Sequence, residues 1–335
     1  MHVRPSLAIW LYAFGYFACY VPYSALTKAL SKGAMPGQTM PVDGTTLLPL
    51  SVAASAVGMI AFLSVARWWR YASQRYLLGR LVPSPTRWTL LSGLCTAAIV
   101  VTTTLAYTFE GVSIVFIMLL MRGGVLVIAP LVDALTGRRA RWYSWAGLLL
   151  SLAALVVAFA ESGGYAITLT CAVDVAVYLL AYFVRLRFMT RLAKSDDDDV
   201  TRRYFVEEQM VATPAVLVAL IALAVAHEGP LGAALRAGFF DVWSWPLWPE
   251  IALVGLFSQG TGVFGGLILL DKSENTYCVP VNRSSSILAG VLASFSLALF
   301  LGLSSPSAYQ LAGAGLILLA IGFLTLPPLL ARKRA

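Results

Sequence analysis

Two arginines stand inside long apolar stretches of the sequence. Arg122 lies near the middle of the apolar run 111–136, and Arg283 lies inside the run 275–303. A helix of this length, rising about 1.5 Å per residue, can cross the roughly 30 Å hydrocarbon core of a bilayer. A charge at that depth costs about 2.5 to 3.5 kcal/mol on insertion scales, so it usually faces a polar interior that holds a ligand or forms a pathway. Two guanidinium groups there suit a dianion, because each offers a planar fork to phosphate or carboxylate oxygens.

Further polar residues join the two arginines in a candidate substrate-binding set. Asparagine and serine side chains beside Arg283 supply hydrogen-bonding groups at a depth where lipid supplies none, so they indicate a polar cavity. Lys28, near the outer end of the first apolar run, either points into an outer vestibule or extends to the membrane surface. The set is Arg122, Arg283, Asn282, Ser284, Ser285, Tyr107 and Lys28.

Asp174 lies within another apolar run, 165–187, and an aspartate inside a span is rare. It is a candidate proton carrier or the counter-charge of an arginine; the alternative is a hydrogen-bonded carboxylate with no role in transport. If Asp174 pairs with one arginine in the empty protein, substrate would displace it, and its protonation could drive exchange. The arginines have a structural alternative too, in which Asp174, Asp133 or helix carbonyls hold them and they only stabilise the bundle.

These residues must be positioned by a bundle of membrane helices. Of the 335 residues, 59% are hydrophobic and 12% charged, and the mean hydropathy is +0.80, far from the composition of a soluble domain. Ten runs are long enough to span a bilayer. They are 6–31, 45–66, 88–109, 111–136, 142–162, 165–187, 204–226, 248–270, 275–303 and 307–330. The first is too long and too aromatic for a cleaved signal peptide, so it counts as a span.

The lysines and arginines, 24 in all, indicate the topology of these spans. When the loops are assigned to alternate sides, most of the cations fall on one side. They are Arg4, Arg67, Arg70, Arg75, Arg80, Arg87, Arg138, Arg139, Arg141, Arg185, Arg187, Arg191, Lys194, Arg202, Arg203, Lys272, Arg332, Lys333 and Arg334. The other side holds Lys28, Lys32 and Arg236. The positive-inside rule therefore places both termini in the cytoplasm, and we expect a multi-pass protein of the plasma (inner) membrane.

Two polar stretches lie at the ends of spans. Between the second and third runs, arginines alternate with Trp68, Trp69, Tyr71 and Tyr76, which is typical of a helix end in the headgroup region. Glu207 and Glu208, near the start of the seventh run, either line a cytoplasmic mouth or complement the N-terminus of their helix.

Several other activities are disfavoured by the residues present. The net charge of +8 comes from loops beside spans, so it does not indicate a nucleic-acid partner. The four cysteines fall inside predicted spans without CxxC spacing, and we read no metal or disulfide into them. Asp196–Asp199 is interpreted as a solvated linker, since no second aspartate-rich helix exists to form a magnesium-diphosphate site. With only His2 and His227 and no HExxH or GxSxG motif, we predict no cofactor and no enzymatic activity.

The two halves of the sequence form a loose repeat. Arg122 is followed by small residues and Arg283 by serines, and each half ends in a helix with a small pair, Ala146–Gly147 or Ala312–Gly313. Five spans in each half turn the second half upside down relative to the first. Inverted repeats of this kind build transporters whose substrate binds near mid-membrane at the repeat interface. We therefore divide the membrane domain into repeats 1–162 and 163–335.

The chain resembles the drug/metabolite transporter superfamily at Leu105–Thr108, leading through Glu110 into Val112–Pro130, and again at Tyr143–Gly147 after the basic turn. The resemblance implies an all-α polytopic membrane protein with ten transmembrane helices as two inverted five-helix repeats, and both termini in the cytoplasm. Arg122 departs from the pattern of drug-exporting members, where an apolar or small residue is usual. That departure favours the organophosphate and nucleotide-sugar branches, which are similar in using basic residues of late spans to hold phosphate.

These observations predict a secondary transporter that moves an anionic, phosphorylated metabolite through a central cavity by alternating access. The alternative is a flippase for an anionic lipid such as a polyprenyl-phosphate-linked carrier, or a general drug/metabolite exporter. A flippase would use the same arginines but would need a lateral opening between helices for the lipid tail. The expected partners are the bilayer and a small anionic metabolite or anionic lipid.

Overall fold

The computed structural model describes residues 8–38, 40–77, 79–105, 114–160, 169–303 and 305–333. Over these ranges the chain folds into α-helices with one short hairpin. The helices are α1 (Ala8–Ser31), α2 (Gly44–Val65), α3 (Arg87–Leu105), α4 (Ile114–Leu135), α5 (Trp142–Ala160), α6 (Leu169–Leu192), α7 (Asp198–Ala226), α8 (Pro230–Phe240), α9 (Trp248–Leu270), α10 (Asn275–Leu301) and α11 (Ala308–Lys333). Two single 3₁₀ turns, Trp68–Tyr71 and Asp241–Ser244, complete the helical structure.

Each of the ten predicted apolar runs coincides with a long helix of the structure. The helix absent from the prediction is α8, which begins with Pro230 directly after Gly229. Proline is favoured at the first helical position, where its missing N–H would have no intrahelical partner. The start of α7 was also misplaced, because the helix begins at Asp198 rather than near residue 204.

The segment between α2 and α3 is a β-hairpin instead of a simple helix end. Strand β1 (Gln74–Leu77) pairs antiparallel with β2 (Arg80–Pro83). The carboxylate of Glu207 on α7 holds both ends of the hairpin, accepting hydrogen bonds from the backbone N–H groups of Ser73 and Thr86 at 3.0 Å each. Over the residues that the structure describes, the fold is therefore all-α apart from this one hairpin.

The chain is a helical membrane protein. Among the described residues, four helices are long and apolar enough to cross a membrane: α2, α7, α9 and α10. Large apolar side chains also face outward on many helices, including Phe14, Val57, Leu180, Val218, Leu299 and Phe300. A soluble monomer rarely exposes so much contiguous apolar surface, whereas a bilayer solvates it.

The helices pack in a pattern that links the two halves of the chain. Helix α1 packs against α9 and α10, and helix α6 packs against α3 and α4. Helix α2 packs against α9, α7 against α3, and α5 against α11. The main core cluster lies where these contacts converge, and its largest fully buried side chains include Tyr277, Phe205 and Met121.

Glycines at the α5–α11 contact allow these two helices to approach closely. A Cβ added at Gly147 would collide with the side chain of Leu324, and one added at Gly313 would press on the carbonyl oxygen of Ala154. Small residues serve this purpose at membrane helix interfaces. The paired small residues seen near the starts of these two helices are therefore packing positions.

Candidate functional site

Arg283 is buried among aromatic rings near the middle of the bundle. It lies on α10, its residue is 6% exposed, and its guanidinium carbon lies 5.0 Å from the ring centroid of Tyr182 on α6. Its Nε has no hydrogen-bond partner in the described part of the chain. A buried donor without an acceptor is costly, so this N–H is available to a ligand anion.

Arg122 on α4 makes the corresponding contact with α1. Its Nη2 donates a hydrogen bond to the hydroxyl of Tyr20, and its guanidinium carbon lies 5.7 Å from the ring centroid of the same residue. The contact combines a hydrogen bond with a cation–π interaction. Both predicted arginines therefore contact tyrosines rather than lying against lipid.

The two arginines share one group of tyrosines. On α1, the ring centroids of Tyr16 and Tyr20 are 5.5 Å apart and those of Tyr20 and Tyr23 are 5.7 Å apart. On α6, the rings of Tyr178 and Tyr182 are 4.8 Å apart. Both guanidiniums act electrostatically on the Tyr16 and Tyr178 hydroxyls, so they lie in the same region of the bundle. We call the seven residues Arg122, Arg283, Tyr16, Tyr20, Tyr23, Tyr178 and Tyr182 the arginine–tyrosine cluster.

Sequence reasoning found the arginines of this cluster but missed its tyrosines. Tyr16, Tyr20 and Tyr23 are spaced by four and three residues, and Tyr178 and Tyr182 by four, which places each set on one face of its helix. That spacing was the available signal. It does not by itself indicate a site, because a row of tyrosines on one helix face can equally well pack in a core.

Asn282 is brought to the edge of the cluster. It is buried, and its side-chain nitrogen and the ring of Tyr16 both pack against Gly265 of α9. A Cβ at Gly265 would lie 2.9 Å from Tyr16 Cε2 and 3.2 Å from Asn282 Nδ2. The absence of a side chain at Gly265 therefore lets both side chains pack against α9 at this point.

The two serines directly after Arg283 have hydrogen-bond partners within the protein. The hydroxyl of Ser284 lies 3.4 Å from that of Ser151 on α5, and the hydroxyl of Ser285 donates to the carbonyl of Val281 at 2.9 Å. Hydroxyls on helices commonly bond to a carbonyl one turn back. The structure thus gives both serines partners within the protein.

The other two members of the predicted set are not part of the cluster as described. Lys28 is exposed near the end of α1, about 12 Å further along the helix axis than Tyr20. Tyr107 lies outside the described residues.

Asp174 lies on the buried face of α6 without a partner. The residue is 7% exposed, and its Oδ2 accepts no hydrogen bond among the described residues. No ion pair of Asp174 is present there either, so the predicted contact with an arginine of the empty protein is not made. Asp174 is the sixth residue of the described helix, nearer its start than the run 165–187 suggested.

Asp133, the other carboxylate considered as an arginine partner, accepts hydrogen bonds from Asn275 and Thr276 instead. Its oxygens accept from the backbone N–H groups of Asn275 at 2.9 Å and Thr276 at 2.7 Å, and also from both side chains. These bonds satisfy donors at the N-terminus of α10, where a negative charge also complements the helix dipole. Asp133 therefore anchors α4 to the first turn of α10.

A second group of arginines forms bidentate ion pairs. Arg185 donates to both oxygens of Glu208, at 2.8 and 2.9 Å, and Arg141 donates to both oxygens of Glu274, at 2.8 and 2.6 Å. Hydroxyls complete each carboxylate, with Ser92 at 2.7 Å from Glu208 and Ser144 at 2.7 Å from Glu274. These interactions leave the carboxylates fully occupied.

Other buried polar contacts lie at the same end of the bundle. Lys194 donates to the carbonyl of Ser273 at 2.7 Å, and Arg138 donates to the carbonyl of Lys272 at 2.8 Å. We call this region the ion-paired end. It comprises Asp133, Arg138, Arg141, Arg185, Lys194, Glu207, Glu208 and Glu274.

Glu274, which precedes α10, shows the electrostatic consequence of such pairing. Burial opposes ionisation of its carboxyl, but the hydrogen bonds and charge of Arg141 outweigh burial, and Ser144 adds to them. The pKa of Glu274 therefore lies below its ordinary value.

No family model matches the chain, and none of the curated proteins matches it. A solved structure described as "Crystal structure of protein" is similar to it, with a TM-score of 0.55 and 18% sequence identity. The similarity covers 97% of this chain and 98% of that chain. At this identity the likeness concerns the fold alone.

Proposed function

We propose that the protein is a secondary transporter of an anionic, phosphorylated metabolite, which binds between Arg122 and Arg283 in the arginine–tyrosine cluster. The observation that carries the proposal is the state of Arg283. This guanidinium is buried, it lies over a tyrosine ring, and its Nε has no acceptor in the described part of the chain. A substrate anion would supply the missing acceptor and the missing negative charge.

The energetics favour a ligand over a purely structural role. A buried charge is normally paired, because desolvation costs several kcal/mol per ion. Tyrosine rings recover only about 0.5 to 2 kcal/mol by cation–π interaction. Hydrogen bonds between a guanidinium and a phosphate are charge-assisted and often bidentate, so they are stronger than neutral ones. An anion in the cluster would thus relieve a cost that the protein alone leaves in place.

The proposal includes ten membrane spans arranged as two inverted repeats, 1–162 and 163–335. Support comes from helix contacts that recur when each helix is replaced by its counterpart in the other half of the chain. The counterparts are α1 and α6, α2 and α7, α3 and α9, α4 and α10, and α5 and α11. Under this exchange, the contact of α1 with α9 becomes that of α6 with α3, and the contact of α1 with α10 becomes that of α6 with α4. The contact of α2 with α9 becomes that of α7 with α3.

Individual residues follow the same exchange. Arg122 of α4 contacts Tyr20 of α1, and Arg283 of α10 contacts Tyr182 of α6. Gly93 of α3 packs against Val211 of α7, while Gly255 of α9 packs against α2. The arginine–tyrosine cluster would therefore lie at the repeat interface, where transporters of this design bind substrate. This arrangement also supports membership of the drug/metabolite transporter superfamily.

The ion-paired end would form the closed gate of an alternating-access cycle. Its residues lie in or beside loops that the positive-inside rule assigns to the cytoplasm, with both termini on that side of the plasma membrane. The buried pairs Arg141–Glu274 and Arg185–Glu208 join helices α5, α6, α7 and α10 there. Substrate would reach the cytoplasm only after these helices separate.

A thermal-shift screen of the purified protein tests the function. Phosphorylated metabolites, nucleotide sugars and polyprenyl phosphates would be added one at a time, because a ligand that binds the folded form raises the melting temperature. We expect a shift with at least one anion, and its loss in Arg122→Ala and in Arg283→Ala. Arg191→Ala is the matched control, since Arg191 is exposed and should leave the shift intact.

Two outcomes would change the proposal. If both cluster variants keep the full shift, the arginines stabilise the bundle and the function fails. If only polyprenyl phosphates produce an arginine-dependent shift, the protein moves a lipid instead of a soluble metabolite. If a soluble anion gives the arginine-dependent shift, counterflow of that anion in proteoliposomes would confirm that the protein transports it.

A further inference from the structure

We propose that the substrate is a zwitterion, whose anionic group binds Arg122 and Arg283 and whose ammonium group binds Asp174. The inference rests on the proposed function and narrows its substrate class. Its starting observation is that two side chains of opposite charge, Asp174 and Arg283, are both buried and both have an atom without a partner among the described residues.

Asp174 shares a face of α6 with the tyrosines of the cluster. Residues 174, 178 and 182 are spaced by four, so successive positions turn by only about 40° around the helix. Asp174, Tyr178 and Tyr182 are all buried. Tyr178 lies between the carboxylate and Tyr182, whose ring contacts Arg283. This face of α6 therefore carries a carboxylate followed by two aromatic rings, and the guanidinium of Arg283 on α10 lies over the second ring.

The opposite charges are kept apart by these rings. Asp174 lies about 12 Å from Tyr182 along the helix axis, so the carboxylate and the guanidinium over Tyr182 do not meet. If Asp174 only served to neutralise an arginine, the two would be expected to pair, as Glu208 does with Arg185. The carboxylate of Asp174 and the Nε–H of Arg283 both lack partners among the described residues and lie on either side of the same two tyrosine rings. This arrangement matches a ligand that carries both charges.

The chemistry of each group fits this assignment. An ammonium offers three donors to a carboxylate, while phosphate oxygens suit the planar guanidinium fork. Between them lie the rings of Tyr178 and Tyr182, tilted by 54° with centroids 4.8 Å apart, which would contact the middle of the ligand. A substrate with several bonds between its charges, such as an amino sugar phosphate, would span this distance better than a very short zwitterion.

Matched probes that differ in one group test the inference. Glucosamine 6-phosphate and glucose 6-phosphate differ by an ammonium in place of a hydroxyl, and O-phosphoethanolamine and 2-hydroxyethyl phosphate form a shorter pair. We expect the wild-type protein to bind the amino member of a pair roughly ten- to one-hundred-fold more tightly. Asp174→Asn should remove this preference, so that the two members of each pair bind with similar affinity.

The controls separate folding from recognition. The melting temperature without ligand checks that Asp174→Asn is folded, and Asp174→Ser provides a second variant without the charge. Equal affinity for both members of each pair in the wild type, or no binding of either amino probe, overturns the zwitterion. The zwitterion is also overturned if Asp174→Asn loses the same affinity for both members of a pair. That result would indicate a carboxylate that carries a proton or supports the fold. The anion proposal itself fails only if no anion of the wider screen gives an Arg283-dependent shift.

Discussion

The arginine–tyrosine cluster and the ion-paired end use the same residue type in opposite ways. At the ion-paired end, Arg141 and Arg185 each meet a carboxylate with two hydrogen bonds. In the cluster, Arg122 and Arg283 meet tyrosines. The first arrangement neutralises the charge inside the protein. In the second, Arg283 lies over a tyrosine ring and its Nε lacks an acceptor among the described residues, so this guanidinium can attract an anion.

The difference shows that burial alone does not identify a binding arginine. Arg185 and Arg283 are both 6% exposed, and both lie on helices of the bundle. Only the partners distinguish them, because Glu208 satisfies Arg185 whereas Arg283 keeps an unsatisfied Nε in the described part of the chain. A guanidinium facing aromatic rings is thus the better candidate for ligand recognition.

The largest effect is expected at the ion-paired end. Glu208→Ala leaves the Arg185 guanidinium buried without its carboxylate, so the free energy of unfolding should fall by about 3 to 5 kcal/mol. Thermal unfolding in detergent measures the loss, with Glu228→Ala as control because Glu228 is exposed. A melting temperature like that of the control would show that the pair is not structural.

Substitution of Glu274 should cause a smaller loss of stability, and this loss should depend on pH. Its pKa lies below the ordinary value of 4.5, so the Arg141 contact stabilises the protein fully above pH 4.5 and less as the pH falls through the lowered pKa. Glu274→Gln should therefore lower the free energy of unfolding by about 1.5 to 3 kcal/mol at neutral pH.

The pH profile provides the check for Glu274. Melting temperatures of the wild type and Glu274→Gln should converge as the pH falls below the lowered pKa of Glu274, because the wild-type carboxyl then also becomes neutral. A difference in melting temperature that stays constant throughout the acid range would mean that the charge of Glu274 contributes nothing.

Tyr20→Phe separates the hydroxyl from the ring at Arg122. The variant keeps the aromatic face but removes the acceptor of the Arg122 hydrogen bond. One such bond contributes about 0.5 to 1.5 kcal/mol, so anion affinity should fall by roughly two- to ten-fold. Isothermal titration with the anion found in the screen measures the affinity of the variant. A loss as large as that of Arg122→Ala would mean that the hydroxyl contacts the anion itself.

Lys28→Ala should have the smallest effect. Its side chain is exposed near the end of α1, and exposed substitutions usually change free energies by less than about 0.5 kcal/mol. Anion affinity should stay within about two-fold of the wild type in the same titration. A larger loss would place Lys28 on the substrate path and would extend the site beyond the cluster.

Hydropathy was sufficient to predict the long helices, because a bilayer imposes both their length and their apolar composition. It also revealed Arg122 and Arg283, since a charge within an apolar run is conspicuous. The tyrosines were not predicted, because a tyrosine fits an interface, a core or a site equally well.

Long-range pairing was beyond the sequence for a different reason. Glu208 was interpreted as lining a cytoplasmic mouth or complementing a helix N-terminus, yet α7 begins ten residues earlier, at Asp198, and Glu208 pairs with Arg185 of α6. The hydrogen bonds of Ser284 and Ser285 to Ser151 and Val281 likewise could not be read from the sequence. Which polar residues form hydrogen bonds or ion pairs within the protein depends on neighbours that are brought together only in the folded chain.

The central claim is that Arg122 and Arg283 bind the same anion, and a double-mutant cycle tests it most directly. Affinities of the tightest-binding anion would be measured by isothermal titration for the wild type, Arg122→Ala, Arg283→Ala and the double variant. We predict that each single change weakens binding at least about ten-fold and that the two losses are coupled by more than about 0.5 kcal/mol. Wild-type affinity in both folded single variants would contradict the account.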